Sequence, residues 1–367
     1  MARRQEQEPA RPDVVEVAPN VLRMELPIRL PGLEHVNMYA LLDDEGAAVV
    51  DPGLPGPTTW RAIGDRLRRA GLRVKDVHTV VVTHSHPDHF GGAAWFQREA
   101  GSRVIAHHRF SFGPVQVSRP EVSVDDLRAQ QQAQEEAAEQ PEADGPPEDS
   151  PPPPRTPWGG RTPWGGQRPR PPLRRRLQWY AMRLLGRSWL PAITDPVEHG
   201  DELRLAGREV FVLHTPGHTA DHVCIHDPGT GVLIAGDHVL PTITPHISGL
   251  SPSRDPLASF FYSLDRVAEI RGVEQVLPAH GHPFRDLAAR CEAIQRHHHE
   301  RLGRVKAISR ELGRPASTSE FSRHLFAPRS QGPMADGETY AHLEHLRLRG
   351  EAERTVGSDG VPLYVAG

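Results

Sequence analysis

Cysteine is scarce: among 367 residues only Cys224 and Cys291 carry a thiol. Two are too few for a disulfide framework, and they are not spaced as a metal-binding pair, so a reducing compartment fits. Lysine is equally rare, confined to Lys75 and Lys306 beside abundant arginine, a bias of genome composition rather than of mechanism. Neither sign of charge dominates. The 43 basic and 47 acidic side chains give a net charge of -4, which excludes a global basic field recruiting nucleic acid. Long apolar runs are missing as well: no stretch approaches the roughly 20 apolar residues of a membrane span. The charged segment Met1 to Pro12 also lacks a signal-peptide core. These absences predict a soluble, cytoplasmic protein, and the length favours more than one domain.

Histidine is plentiful, 22 in all, and unevenly placed. The densest stretch is Thr83, His84, Ser85, His86, Pro87, Asp88, His89, Phe90, Gly91, Gly92, directly after the apolar, β-branched run Val77 to Val82. That order reads as a buried strand ending in a ligand-bearing loop. His84 and His86, two apart on extended backbone, point the same way and can pinch one metal ion. Asp88 and His89 fall where Pro87 can open a helix, so they face a second ion from the other side. Imidazole nitrogen and carboxylate oxygen suit zinc, iron or manganese. A surface accident is the alternative for such a cluster.

The stretch resembles the HxHxDH signature of the metallo-β-lactamase-fold hydrolases, and further motifs follow in the family's order. Asp51 in Val49-Val50-Asp51-Pro52-Gly53 resembles the early aspartate that orients a ligand. His218 in Thr215-Pro216-Gly217-His218-Thr219 resembles the third histidine of metal site one. Asp237 in Ala235-Gly236-Asp237-His238 resembles the carboxylate bridging both metals, and His280 in Leu277-Pro278-Ala279-His280-Gly281 the last ligand of site two. The resemblance implies two divalent ions, zinc first with iron or manganese as alternatives. His84, His86 and His218 would hold one, Asp88, His89 and His280 the other, and Asp237 both. A bridging hydroxide then attacks a carbonyl or phosphoryl centre, with Asp88 and Asp237 as the catalytic carboxylates.

Strands at Val14–Val17, Val21–Ile28, Asn37–Leu42 and Ala47–Val50 precede an amphipathic helix over Pro57–Ala70. A helix over Phe90–Ala100 and a short strand at Val104–Ala106 come next, with His107 and His108 as loop residues. From about Pro114 to Pro191 the pattern breaks. Asp125 to Ser150 is acidic and glutamine-rich, Pro151 to Pro154 is a proline run, and Arg155 to Gly166 repeats Arg-Thr-Pro-Trp-Gly-Gly twice. Such composition cannot bury enough apolar surface to order itself, and disorder is expected there and over residues 1–13. Residues 173–187 read as a basic amphipathic helix, a lid over the active-site mouth or a membrane-surface contact. Trp179, Tyr180 and Trp189 would supply an apolar wall near substrate.

Strands resume at Glu202–Leu205, Glu209–Leu213, Val223–Ile225, Val232–Ala235 and Val273–Leu277, with a helix at Ala258–Ile270. Two similar halves with ligands at strand ends point to sheets packed face to face with helices outside. That is the α/β class, and the resemblance implies the αββα sandwich over 14–290, interrupted by the 114–191 insertion. The tail, 291–367, reads as helices closing on a hairpin, Glu351–Thr355 with Val361–Val365. It resembles the winged-helix appendix of the lactamase-β-2-like branch. Between Glu300 and Gly367 ten basic and nine acidic side chains leave a net charge of +1, a weak footprint for phosphate. Packing or a homodimer through this domain fits better than nucleic acid. The run His297-His298-His299 reads as solvated.

Departures from the family's other branches narrow the function. Asp237 stands where one β-lactamase class has cysteine, His86 where flavodiiron proteins have an acid, and no Gly-Cys-Gly-Arg segment like that of glyoxalase II follows Asp237. The expectation is a dinuclear hydrolase of a small acyl substrate, a thioester, ester or lactone. The alternatives are a nucleolytic phosphodiesterase or endoribonuclease, and a non-catalytic regulatory protein on the same fold.

Overall fold

The computed structural model describes residues 4–30, 32–112, 162–166, 173 and 189–367. Two compact units divide the chain: Met1–Phe112, Pro172–Pro245 and Ser263–Gln295 form the first, Gly113–Pro171, His246–Tyr262 and Arg296–Gly367 the second.

Two sheets make the first unit. The larger has seven strands in chain order, β1 (Val14–Ala18), β2 (Val21–Leu30), β3 (Leu33–Asp43), β4 (Gly46–Val50), β5 (Val77–Val81), β6 (Arg103–His107) and β7 (Asp195–Val197). Its first four are antiparallel, and β4 to β7 run parallel. The smaller has the order β12-β11-β10-β9-β8, from β8 (Glu202–Leu205), β9 (Arg208–His214), β10 (Val223–Asp227), β11 (Val232–Gly236) and β12 (Gln275–Pro278).

Side-chain alternation explains why the sheets stack. Ala48, Val50, Val81 and Ile105 share one core with Val212, Ile225 and Ile234 of the other sheet. Their chain neighbours Val49, Val80 and Val104 face outward onto Ile63 and Leu67 of α1 (Pro57–Arg69) and Phe96 of α3 (Ala93–Ala100). Burial on both faces is why β5 is β-branched at four of its five positions, with His78 the partly exposed exception. Each such Val or Ile, fully buried, contributes on the order of 1.5–3 kcal/mol, so a one-residue slip of register is heavily penalised. On the far side of the second sheet, Ser263 of α4 (Pro256–Ala268) donates to the Pro216 carbonyl at 2.8 Å. The layers are those of the αββα sandwich.

The helix expected over Phe90–Ala100 is split into α2 (Pro87–Phe90) and α3. A Cβ at Gly91 would lie 2.1 Å from the Pro55 nitrogen, and one at Gly92 2.4 Å from the Pro52 carbonyl oxygen. The loop after β4 therefore packs directly on bare backbone, which is how Asp51 is brought against the histidine stretch.

Two expectations need correction. Residues 4–13 are ordered: Glu6 is fully buried, its carboxylate accepting from the Thr242 and Ile243 amides and the Thr242 hydroxyl. An acidic residue in a polar stretch gives no hydropathy signal of such docking. His107 ends β6 rather than starting a loop, and stacks on His214 at 4.1 Å. In the second repeat, Thr162–Gly166 forms a turn that buries Trp164 beside Tyr340, 5.4 Å between rings. These five residues sit within an insertion expected to be largely disordered, most of which lies outside the described residues. The segment 173–187, apart from Leu173, lies outside the described residues, and Trp179 and Tyr180 with it.

The second unit takes up α5 (Leu287–Leu312) from Arg296 onward, followed by α6 (Thr318–Leu325) and α7 (Pro333–Leu348), with a sheet ordered β13-β15-β14. Its strands are β13 (Ala316–Ser317), β14 (Ala352–Val356) and β15 (Pro362–Ala366). Glu344 of α7 accepts from Arg347, Arg354 and the Tyr364 hydroxyl, joining helix to hairpin. No helix among the described residues is long and apolar enough to cross a membrane.

Candidate metal centre

Every predicted ligand sits where a strand ends. His84, His86, Asp88 and His89 follow β5, His218 follows β9, Asp237 follows β11 and His280 follows β12. Their ligand-capable atoms gather in two groups, each within 4.8 Å: His84, His86, His218 and Asp237, and Asp88, His89 and His280.

In the first group His86 Nδ1 lies 3.0 Å from both His84 Nε2 and His218 Nε2. One nitrogen with a single hydrogen cannot donate to both. Two nitrogens sharing a tetrahedral zinc at 2.0–2.1 Å stand about 3.3 Å apart, close to this spacing. Asp237 Oδ2 completes the group, 3.4 Å from His218 Nε2. The same carboxylate reaches the second group, Oδ2 at 3.5 Å from His89 Nε2 and Oδ1 at 3.3 Å from His280 Nε2. Asp88 Oδ2 lies 3.6 Å from His280 Nε2 and 3.8 Å from His89 Nε2.

The ring tautomers follow from hydrogen-bond accounting. Asp51 has a left-handed backbone, φ 54°, and accepts from the Thr83 amide at 2.9 Å and hydroxyl at 2.8 Å. It also accepts from His89 Nδ1 at 2.8 Å, so the His89 lone pair sits on Nε2. The Thr83 hydroxyl has committed its proton to Asp51 and accepts from His84 Nδ1 at 3.0 Å, which places the His84 lone pair on Nε2 too. His280 Nδ1 donates to the His35 carbonyl at 2.7 Å, with the same result. Oriented imidazoles of this kind are what a metal requires.

A divalent ion fits the electrostatics. His89 Nε2, His280 Nε2 and Asp237 Oδ1 are buried without a hydrogen-bond partner, an arrangement rare unless a ligand completes it. Burial opposes charge on His89, yet the carboxylates of Asp237, Asp51 and Asp88 pull it strongly towards a cation. Burial would likewise raise Asp237, but the facing imidazoles of His280 and His89 hold its carboxyl well below the usual range. His84 is driven neutral by burial and its imidazole neighbours, as a ligand must be.

Several supporting residues lie outside the ligand motifs. His222 accepts from the Asp237 amide at 3.1 Å through Nε2 and donates from Nδ1 to the Thr215 hydroxyl at 2.7 Å. Gly236 is bound to this contact: a Cβ there would stand 2.6 Å from His222 Nε2. Asn37 donates to the carbonyls of Pro278 and Gly281, and Tyr39 to Pro278, pinning the His280 turn to β3. Ser85 donates to Asp221, whose carboxyl burial pushes up to about 6. Only His222 could have been suspected, from its nearness to a ligand motif. His214 instead bonds the Ala220 carbonyl, and His282 meets Glu8.

Of the expected substrate wall, Trp189 is described. Its ring stacks on Phe90, next to ligand His89, at 5.4 Å, and Phe112 meets its edge at 4.9 Å. Phe112 is 38% exposed.

Residues 31–280, more than half of the chain, match the family model described as the metallo-beta-lactamase superfamily. A metallo-beta-lactamase family protein from Thermus thermophilus superposes with a TM-score of 0.68 at 28% identity, covering 96% of this chain and 100% of that one. Hydroxyacylglutathione hydrolase of Maricaulis maris is 32% identical over 94 residues, 26% of this chain and 35% of the relative. Human acyl-coenzyme A thioesterase MBLAC2 is 34% identical over 109 residues, 29% of this chain and 37% of that one. The chain thus spans about a third or less of the length of the first curated relatives it matches.

Proposed function

The chain belongs to the metallo-beta-lactamase superfamily, and from that premise we propose that it is a dinuclear metal-dependent hydrolase of a small acyl substrate, a thioester, ester or lactone. The observation that carries this reading is Asp237, whose carboxylate faces His218 on one side and His89 and His280 on the other. His84, His86 and His218 would hold one ion and Asp88, His89 and His280 the second, with Asp237 within reach of both groups. Zinc is the ion this histidine-rich set suits, and iron or manganese accept the same donors. When bound, such ions supply Lewis acidity and lower the pKa of a water towards about 7. The chain's own residues do the rest. Asp51 and Thr83 fix two ring tautomers, the His35 carbonyl fixes a third, and His222 holds the backbone of Asp237.

Phe112 and Trp189, layered on Phe90, offer an apolar surface one residue from the ligand stretch, suited to the carbon chain of an acyl group. The relatives' named activities, on hydroxyacylglutathione and acyl-coenzyme A, are of the acyl class. Absence of a Gly-Cys-Gly-Arg segment after Asp237 favours a carrier other than glutathione.

Metal content of tag-free protein, measured with turnover of an acyl thioester, an aryl ester, a lactone, bis-p-nitrophenyl phosphate and a short RNA, tests the reading. Two ions and acyl turnover that collapses in His84→Ala are expected. Preference for a phosphodiester would overturn the substrate class.

A further inference from the structure

The second unit holds a cluster that the hydrolytic site does not use. The three consecutive histidines of α5, read from sequence as solvated, are not equivalent: His298 is fully buried. Successive helix positions turn by 100°, so three in a row cannot all face water when one side of the helix is packed. His298 Nδ1 points at His342 Nε2 of α7, 3.1 Å away, and His342 is fully buried as well. One turn earlier on the same face of α7 stands Glu338, and ligand-capable atoms of all three lie within 4.8 Å of one another.

For His342 the hydrogen-bond accounting follows that of the first unit. His342 Nδ1 donates to the Glu338 carbonyl at 2.7 Å, which leaves its lone pair on Nε2, facing the cluster. The 3.1 Å separation of that nitrogen from His298 Nδ1 is close to the 3.0 Å found between His84 and His86. His298 Nε2, in contrast, is buried with no partner, so hydrogen bonds within the protein do not complete the network. Glu338 is ionised, with one oxygen on Arg301 and the other 3.2 Å from His246 Nδ1.

We propose that His298, Glu338 and His342 form a third metal site, for a divalent transition ion, on the helices of the second unit. Two imidazoles and one carboxylate are the donors that zinc takes, with a fourth position left for water. Burial drives both rings neutral, as ligation requires, His342 to about 4. Arg301 beside Glu338 repels a dication, so this site is weaker than the carboxylate-rich pair in the first unit and empties first under a chelator.

The test counts zinc per chain in full-length, tag-free protein equilibrated with the metal and desalted, for wild type, His342→Gln, Asp237→Asn and the double variant His297→Gln/His299→Gln. Wild type is expected to hold one zinc more than His342→Gln while acyl turnover stays unchanged. The 297/299 variant should keep that extra ion, and Asp237→Asn should keep it while losing the others. Should His342→Gln misfold by circular dichroism, cobalt loaded into Asp237→Asn provides the second reading, one equivalent with a visible d–d band being expected. Equal zinc in wild type and His342→Gln overturns the proposal and leaves a hydrogen-bonded core pair. So does an extra ion that follows His297 and His299, or a spectrally silent Asp237→Asn. A wild type that holds only the one ion missing from His342→Gln would count against the hydrolase reading and not against this one.

Discussion

Two sets of carboxylates, one in each unit, are treated in opposite ways. In the first, the ion pairs of Asp88 and Asp237 run to imidazoles, His84, His89, His218 and His280. In the second, Glu344 meets Arg347, Arg354 and Tyr364, while Glu320 meets Arg314 and the Ser317 amide. A carboxylate with a guanidinium partner is balanced within the chain. One surrounded by imidazoles, with His89 Nε2, His280 Nε2 and its own Oδ1 buried without partners, asks for a cation from outside. Glu338 stands between these cases, with Arg301 on one side and two neutral imidazoles on the other.

If that difference is functional, removing the negative charge of Asp237 has the largest effect available in the molecule. Asp237→Asn should lower kcat/KM for an acyl thioester by about 10³-fold or more, equivalent to some 4 kcal/mol of lost transition-state stabilisation. Metal analysis should show loss from both groups together. Retention of full activity would mean that the two groups do not act through a shared carboxylate.

The next step down concerns residues that orient ligands without touching an ion. Asp51→Asn leaves an amide whose NH2 group can face His89 Nδ1, and His222→Ala frees the Asp237 backbone. Each should cost about 10–100-fold in metal affinity, read by competition with a chelator. A structural role alone would lower the melting temperature and leave the affinity of the folded fraction unchanged.

How far these residues could be read from the sequence depends on how local their causes are. His84, His86, Asp88 and His89 lie within six positions, and the apolar run before them betrays the strand that presents them. Asp51 also ends an apolar run, and the hydrogen bonds of its carboxylate go to Thr83 and His89 of that same stretch. His222 is different, since its bond to the Asp237 amide depends on β10 and β11 pairing so that the ends of a hairpin meet. Asn37 and Glu6 hold segments more than 200 residues away, and no window of sequence contains both partners. The misreading of His298 was avoidable in part, because a run of three on a packed helix must turn at least one ring inward.

A smaller effect probes what the first unit binds. Phe112→Ala removes an exposed ring that meets Trp189 and Phe90, without opening the core beneath. If the aromatic surface takes an acyl chain, kcat/KM should fall about tenfold for a long-chain thioester and hardly at all for an acetyl thioester, in line with the roughly 1–3 kcal/mol that apolar pocket contacts provide. An equal fall for both chain lengths would move the acyl contact elsewhere.

The smallest effect belongs to the carboxylate that is balanced at home. Ser317 and Glu320 form a capping box at the start of α6: the Glu320 amide donates to the Ser317 hydroxyl, and the Glu320 carboxylate accepts from the Ser317 amide at 2.9 Å and from Arg314 at 2.7 Å. The Arg314 and Ser317 hydrogen bonds outweigh a small burial cost and hold the Glu320 carboxyl at about 2, below its ordinary 4.5. A depressed carboxyl stabilises the fold above the unfolded-state pKa and stops doing so as pH falls through the folded one. Glu320→Gln should therefore cost about 0.5–1 kcal/mol at pH 7, the range of a lost cap contact at a partly exposed site. The gap to wild type should narrow as pH falls from about 4.5 towards 2 and vanish at the lower end, as urea titrations can follow. Zinc and chelator should leave that gap untouched. A gap that changed with metal would mean that the balance at Glu320 is not internal, and the contrast between the two units would fail at its simplest point.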